Sequence, residues 1–223
     1  MREIHERRWR ETRMFSFNAG VFTFREFAMN EPILLATLHQ AALEFLRGRD
    51  DAALFGAQAV NAYVPEPRMT QDVDILSTRA AELASELQAH LHHRFHAAIR
   101  VREIGEGKGY RVFQVSKSGN RHLADVRPVR TLPGVQRIMG ILVVTPPELI
   151  AEKVIAYAHR RGSPKSGTDW RDIALLLLTF PELKSESGAV VERLRAADAD
   201  QLAFAAWKEF VAQEFRAADN DEY

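Results

Sequence analysis

The 223 residues contain no cysteine, which excludes a disulfide framework and any thiolate metal site. That suits a reducing compartment, and a cytoplasmic location is the expectation. Net charge is missing as well. Thirty Lys and Arg offset thirty Asp and Glu, so no global field draws the protein onto nucleic acid or a membrane. A local basic groove is still allowed. No stretch approaches the roughly twenty apolar residues that cross a bilayer. Residues 1–10 mix both charge signs without an apolar core, so no secretory signal is expected. Two phosphate-binding signatures are also lacking. No Gly-Lys-Ser/Thr follows the glycine at position 56, and the second and third glycines of a dinucleotide fingerprint are not there.

The sequence does hold enough apolar residues, 46%, to bury a substantial core. Residues 1–31 read as an N-terminal arm, rich in Arg, Glu and Phe. Pro32 then opens a helix with Ile33, Leu34, Leu38, Ala41, Ala42, Phe45 and Leu46 on one face and Gly48 as its stop. A short apolar strand, Ala52–Phe55, meets Gly56, and a helix is predicted from Ala57 to Tyr63. After a proline loop come a strand carrying Asp72 and Asp74 and a helix from Arg79 to about Phe95. Strands are predicted over Ala98–Ile104 and Tyr110–Ser116, around Asp125, and as one run over Ile138–Val144. Thr145 and Pro146 then start a long helix. Helices follow over Asp169–Leu178, Gly188–Ala196 and Ala199–Ala217, and residues 219–223 read as a frayed tail. The fold class is therefore α+β. A mixed sheet with flanking helices, residues 32–144, precedes an α-helical half, residues 145–223.

Chemistry concentrates in Thr70-Gln-Asp-Val-Asp-Ile-Leu-Ser77. A strand sends alternate residues to one face, so Asp72 and Asp74 emerge side by side. Two such carboxylates repel unless a cation lies between them or one takes a proton. Mg2+ accepts carboxylate oxygens and keeps water and phosphate as its other ligands. Asp125, in His122-Leu-Ala-Asp-Val-Arg127, adds a third acid, and the trio reads as a two-metal phosphoryl-transfer site. Upstream, Gly56 and Ala57 stand between strand and helix, where backbone N–H groups can face an anion.

The run Leu54-Phe-Gly-Ala-Gln-Ala-Val60 followed by Arg68-Met-Thr-Gln-Asp-Val-Asp-Ile-Leu76 resembles the nucleotidyltransferase superfamily related to DNA polymerase beta. It is most similar to the AbiEii and MenT type of toxin nucleotidyltransferase. Pro147-Glu-Leu-Ile-Ala-Glu-Lys-Val-Ile-Ala156 resembles that group's second block, whose lysine matches Lys153. Asp169-Trp-Arg-Asp172 resembles its third block. The chain departs from the pattern at Ala57, where Gly or Ser is usual; backbone donors survive the change. The resemblance implies a polymerase-beta-like core and Mg2+-dependent use of ATP or another nucleoside triphosphate. Two ions are implied, with Mn2+ as a substitute. NMP would pass to an acceptor hydroxyl on tRNA, a protein or a small molecule, and a toxin of this type implies an antitoxin partner. Asp72, Asp74 and Asp125 would hold the metal, with Asp125 also the base. Gly56, Ala57, Arg68, Thr70, Lys153 and Asp172 would bind nucleotide. The alternatives are an antibiotic nucleotidyltransferase of the aminoglycoside or lincosamide type, a catalytically silent nucleotide-binding module of the same fold, and a metal-dependent phosphohydrolase. The last is disfavoured by the lack of a visible His-Asp dyad.

Two further features carry simpler readings. His92 and His96 in His90-Leu-His-His-Arg-Phe-His96 have i,i+4 spacing, but a solvated helix end accounts for them. The basic stretch from Arg160 to Lys165 reads as a loop beside the phosphates.

Overall fold

A computed structural model describes residues 33–116 and 119–216. The arm, the tail and part of the turn before Asn120 lie outside the described residues. Helix α1 (Leu35–Leu46) leads to strand β1 (Ala52–Phe55), helix α2 (Gly56–Asn61), strand β2 (Val73–Ser77) and helix α3 (Ala80–Phe95). Strands β3 (Ile99–Ile104), β4 (Gly109–Gln114), β5 (Arg121–Pro128), β6 (Val135–Ile138) and β7 (Ile141–Val144) follow. Helices α4 (Pro146–His159), α5 (Pro164–Thr179), α6 (Ala189–Ala196) and α7 (Gln201–Ala212) follow within the described residues.

The strands make one mixed sheet in the order β3-β4-β5-β2-β1-β7-β6. Its central strand is β2; the neighbouring interior strand β1 has all four residues buried, as a strand covered on both faces must be. Strand β1 runs antiparallel to β2 and parallel to β7, while β2 runs parallel to β5. Strand β2 alternates, with Val73, Ile75 and Ser77 buried and Asp74 and Leu76 on the other face. Helix α3 lays Leu83, Ala84, Leu87 and Leu91 over β3, β4 and β5. It ends where His96 turns left-handed, at φ 50°. Helix α4 packs against α5, α6 and α7. Its buried Leu149, Ile150 and Val154 join Ile173, Leu176, Trp207 and Phe210 in a core continuous with that of the sheet.

The structure departs from the sequence reading at four places. Ile138–Val144 is not one strand. Met139 and Gly140 both adopt positive φ, 50° and 85°, and fold it into the β6–β7 hairpin, as such two-residue turns require. Helix α5 begins at Pro164, five residues before Asp169. Ser163 precedes it and the proline fills the first turn, where its missing N–H costs nothing. The end of the expected basic loop, Pro164 and Lys165, is thus helical while residues 160–163 form the turn before it, and Thr168 donates its hydroxyl to Lys165 O at 2.7 Å. Thr145 makes no side-chain cap on α4. Helix α7 starts at Gln201 because Asp200 accepts from the Ala203 N–H at 3.0 Å.

Candidate active site

Sheet register sets the acids side by side. Asp74 on β2 is the parallel partner of Asp125 on β5, and Asp125 is in turn the antiparallel partner of Arg111 on β4. Asp72 sits just before β2 begins. A regular strand would turn His122 away from Asp125, since they stand three positions apart. Strand β5 is irregular there: Val112 pairs with Ala124 and Phe113 with His122, so Leu123 has no partner across the ladder. This bulge restores both side chains to one face. His122 Nε2 then lies 2.8 Å from Asp125 Oδ1, and Nδ1 lies 3.1 Å from Asp72 Oδ2. Among the described residues, Asp72, His122 and Asp125 are the one group of three metal-ligating side chains with ligand atoms all within 4.8 Å of one another.

These residues line an open cavity of ≈ 800 Å³, whose wall also includes Gly56, Ala57, Arg68, Thr70, Asp74 and Lys153. That volume lies in the range of small-molecule sites. Gly56 is held at φ +66°, and a Cβ there would come within 2.3 Å of Asp74 Oδ2. Helix α2 fixes the loop that follows it. Asn61 donates to Arg68 O at 2.8 Å and accepts from Arg68 N at 3.0 Å. Gln58 donates to the Thr70 hydroxyl at 2.6 Å.

Asp172 is the one expected site residue that does not line the cavity. It is fully buried, where it accepts two bonds from Arg68, at 2.9 and 3.0 Å. Lys153 Nζ lies 2.9 Å from Asp172 Oδ2, which also accepts from Arg68, and 3.4 Å from Asp169. Arg160 reaches the second oxygen of Asp169 at 3.2 Å. Asp172 thus pairs with Arg68 and Lys153, and Arg160 with Asp169. Lys153 is buried and is not a surface lysine. Two cations from separate segments converge on one carboxylate, with charged ends left at the cavity wall.

The acids are not equivalent. Burial, then the neighbouring Asp72, pushes Asp74 up to about 6, with Arg127 at 3.9 Å opposing the shift. Burial alone would raise Asp125 too. Hydrogen bonds from His122 and a bidentate Arg111, both contacts at 3.0 Å, outweigh it and hold Asp125 well below the usual carboxylate range. Glu152, beside Lys153 on α4, also faces the cavity and is raised by burial. Burial would likewise raise Asp172, but Arg68 and Lys153 hold it down.

Sequence reasoning missed His122, Arg111, Arg127 and Glu152. Glu152 was findable as the neighbour of Lys153. The other three depend on strand register, and His122 on a bulge that alternation counting puts on the wrong side. The His-Asp dyad judged missing is therefore there. The histidine cluster holds no comparable group. His92 Nδ1 faces Ala97 O at 2.7 Å, and the His90 ring lies against Phe45.

The sequence profile of the family described as "Nucleotidyl transferase AbiEii toxin, Type IV TA system" matches residues 40–223. Among proteins of curated function, none matches the sequence. Several solved structures share the fold. The Megavirus polyadenylate synthase superposes with a TM-score of 0.56 at 13% identity, covering 81% of this chain but only 37% of that one. JHP933 from Helicobacter pylori gives 0.53 at 14% identity, covering 86% and 91% of the two chains. A second Helicobacter pylori protein, titled a putative nucleotidyltransferase, gives 0.50 at 15% identity, covering 84% and 92%.

Proposed function

The chain belongs to the AbiEii family of nucleotidyltransferase toxins, and from that premise we propose that it moves NMP from a nucleoside triphosphate to an acceptor hydroxyl with divalent metal. The observation that carries this reading is the shared cavity. Asp72, Asp74 and Asp125 line it together with Arg68, Lys153, Arg160 and Lys165. The donor set fits a metal: ligand atoms of Asp72, His122 and Asp125 lie within 4.8 Å of one another, and Asp74 is a half-buried acid beside another acid. Ions held by Asp72, Asp74 and Asp125 would supply charge neutralisation at the reacting phosphate.

The chain's own residues account for the rest. Arg68 and Lys153, locked by Asp172, present fixed positive charge to the triphosphate, so little reorganisation is needed as charge develops. Gly56 keeps side-chain bulk away from Asp74 and leaves the α2 backbone open to the phosphates. The acceptor oxygen bonds to the α-phosphorus while the bond to the departing pyrophosphate breaks, and the hydroxyl proton passes to water in the open cavity. Asp125 suits a ligand better than a base, because Arg111 and His122 favour its ionised form. The helical half, residues 145–223, would close one side of the nucleotide through α4 and α5. An acceptor on tRNA, protein or a small molecule and an antitoxin partner belong to the same proposal.

The test is incubation with each labelled NTP, Mg2+ and either bulk tRNA or cell lysate. Label should move to a macromolecule or small acceptor and stay put with Asp74→Asn. The His122–Asp125 contact also favours a second reading, a phosphohydrolase; free phosphate without labelled product would support it and overturn transfer. Nucleotide binding without any turnover would overturn both.

A further inference from the structure

We propose that His122 is itself a metal ligand, so that the centre is a mixed carboxylate–imidazole site selecting a first-row transition ion over Mg2+. This rests on the nucleotidyl-transfer reading, since it concerns the same centre. A site built of oxygens alone suits a hard ion such as Mg2+, whereas an imidazole nitrogen shifts preference toward transition metals. The nitrogen comes from the Leu123 bulge, which brings His122 onto the face of Asp125. Both ring nitrogens lie within 3.1 Å of a carboxylate, Asp72 on one side and Asp125 on the other. An ion entering between the three therefore meets a nitrogen already placed among its oxygens.

Arg111 completes the arrangement from outside. Its two bonds to Asp125, at 3.0 Å each, use one lone pair on each oxygen and orient the carboxylate. A carboxylate offers about four acceptor sites, so room for an ion remains once the His122 contact to Oδ1 opens. Charged partners that steer a ligating carboxylate in this way commonly tune affinity.

The experiment uses Mn2+ as the probe, on the full chain stripped with chelator, with and without a non-hydrolysable NTP analogue. Pulsed electron paramagnetic resonance of the bound Mn2+ reads directly coordinated nitrogen, and competition with Mg2+ gives the selectivity. Wild-type protein should show imidazole nitrogen modulation, and His122→Gln should lose it. The preference for Mn2+ over Mg2+ should fall at least about tenfold in the same variant. His122→Asn, checked for folding by circular dichroism, should match His122→Gln. Wild-type Mn2+ without nitrogen modulation in either nucleotide state, or selectivity unchanged by both substitutions, would overturn the assignment. The labelled-NTP assay run in parallel separates the two ideas. Transfer without nitrogen coordination sinks the His122 assignment alone, and nitrogen coordination without transfer sinks the transfer reading alone.

Discussion

The carboxylate of Asp74 occupies the space where a side chain on Gly56 would stand, 2.3 Å from an ideal Cβ. Gly56 is also at φ +66°, which an L side chain enters only with strain of about 1–3 kcal/mol. The strand-to-helix turn and the acid are therefore one unit. Gly56→Ala should lower stability by at least that amount, read by chemical denaturation. Metal uptake should fall with it, because Asp74 must move to make room. Full retention of Mn2+ affinity would show that Asp74 tolerates displacement.

Asp74 should cost the metal-free protein stability. Its folded-state value, about 6, stands above the ordinary 3.8, so its contribution is fully favourable below 3.8 and is lost as pH rises through 6. Burial and Asp72 cause the shift, with Glu152 and Asp125 adding to it and Arg127 opposing. In chelator, Asp74→Asn should melt higher than wild type at pH 8, with the gap closing by pH 4. Saturating Mn2+ should raise the wild-type melting temperature more than that of the variant. Such a trade of stability for function is common at sites that bind ions. A variant less stable than wild type at pH 8 in chelator would contradict it.

Asp172 behaves in the opposite sense. Its pKa is lowered, so the stability it brings is present above the ordinary carboxylate value and is lost as pH falls through the folded one. Asp172→Ala leaves Arg68 and Lys153 as facing cations without their shared anion and should destabilise by about 3–5 kcal/mol. Asp172→Asn should cost less and flatten the acid limb of a stability–pH profile measured by urea unfolding. Both should weaken nucleotide binding through misplaced cations.

Much of this geometry could be read from residue order. The stripe of Leu83, Ala84, Leu87 and Leu91, the Ala52–Phe55 strand and the glycine after it have periods and breakers that local rules recognise. The convergence of Asp74 and Asp125 was legible because each lies among apolar strand residues. What stayed hidden depended on register or on one backbone angle. A left-handed Met139 splits an apparently continuous apolar run, and nothing in a methionine announces it. Pro164 between two glycines reads as a loop, although a proline is at home in a first helical turn. The unpaired Leu123 moves His122 across the sheet, and only the facing strand reveals that. Arg68 and Asp172 lie 104 positions apart, a separation across which no local pattern carries information.

Asn61 offers a test of how far the site depends on its supporting loop. Its side chain both donates to and accepts from the backbone of Arg68, and it touches none of the acids. Asn61→Ala would leave one N–H and one carbonyl of a half-buried loop without partners, at about 1–3 kcal/mol for each group kept from water. The Arg68 guanidinium remains tied to Asp172, so the loop should loosen at its backbone while its charge stays near the cavity. The NTP KM is accordingly expected to rise several-fold, whereas Mn2+ affinity, set by Asp72 at the edge of β2 and by residues on β2 and β5, should be unchanged. Steady-state kinetics of NMP transfer beside Mn2+ titration would check the split. Equal loss of both would mean that the loop from Arg68 to Asp72 moves as one piece and that Asn61 positions the metal ligands too.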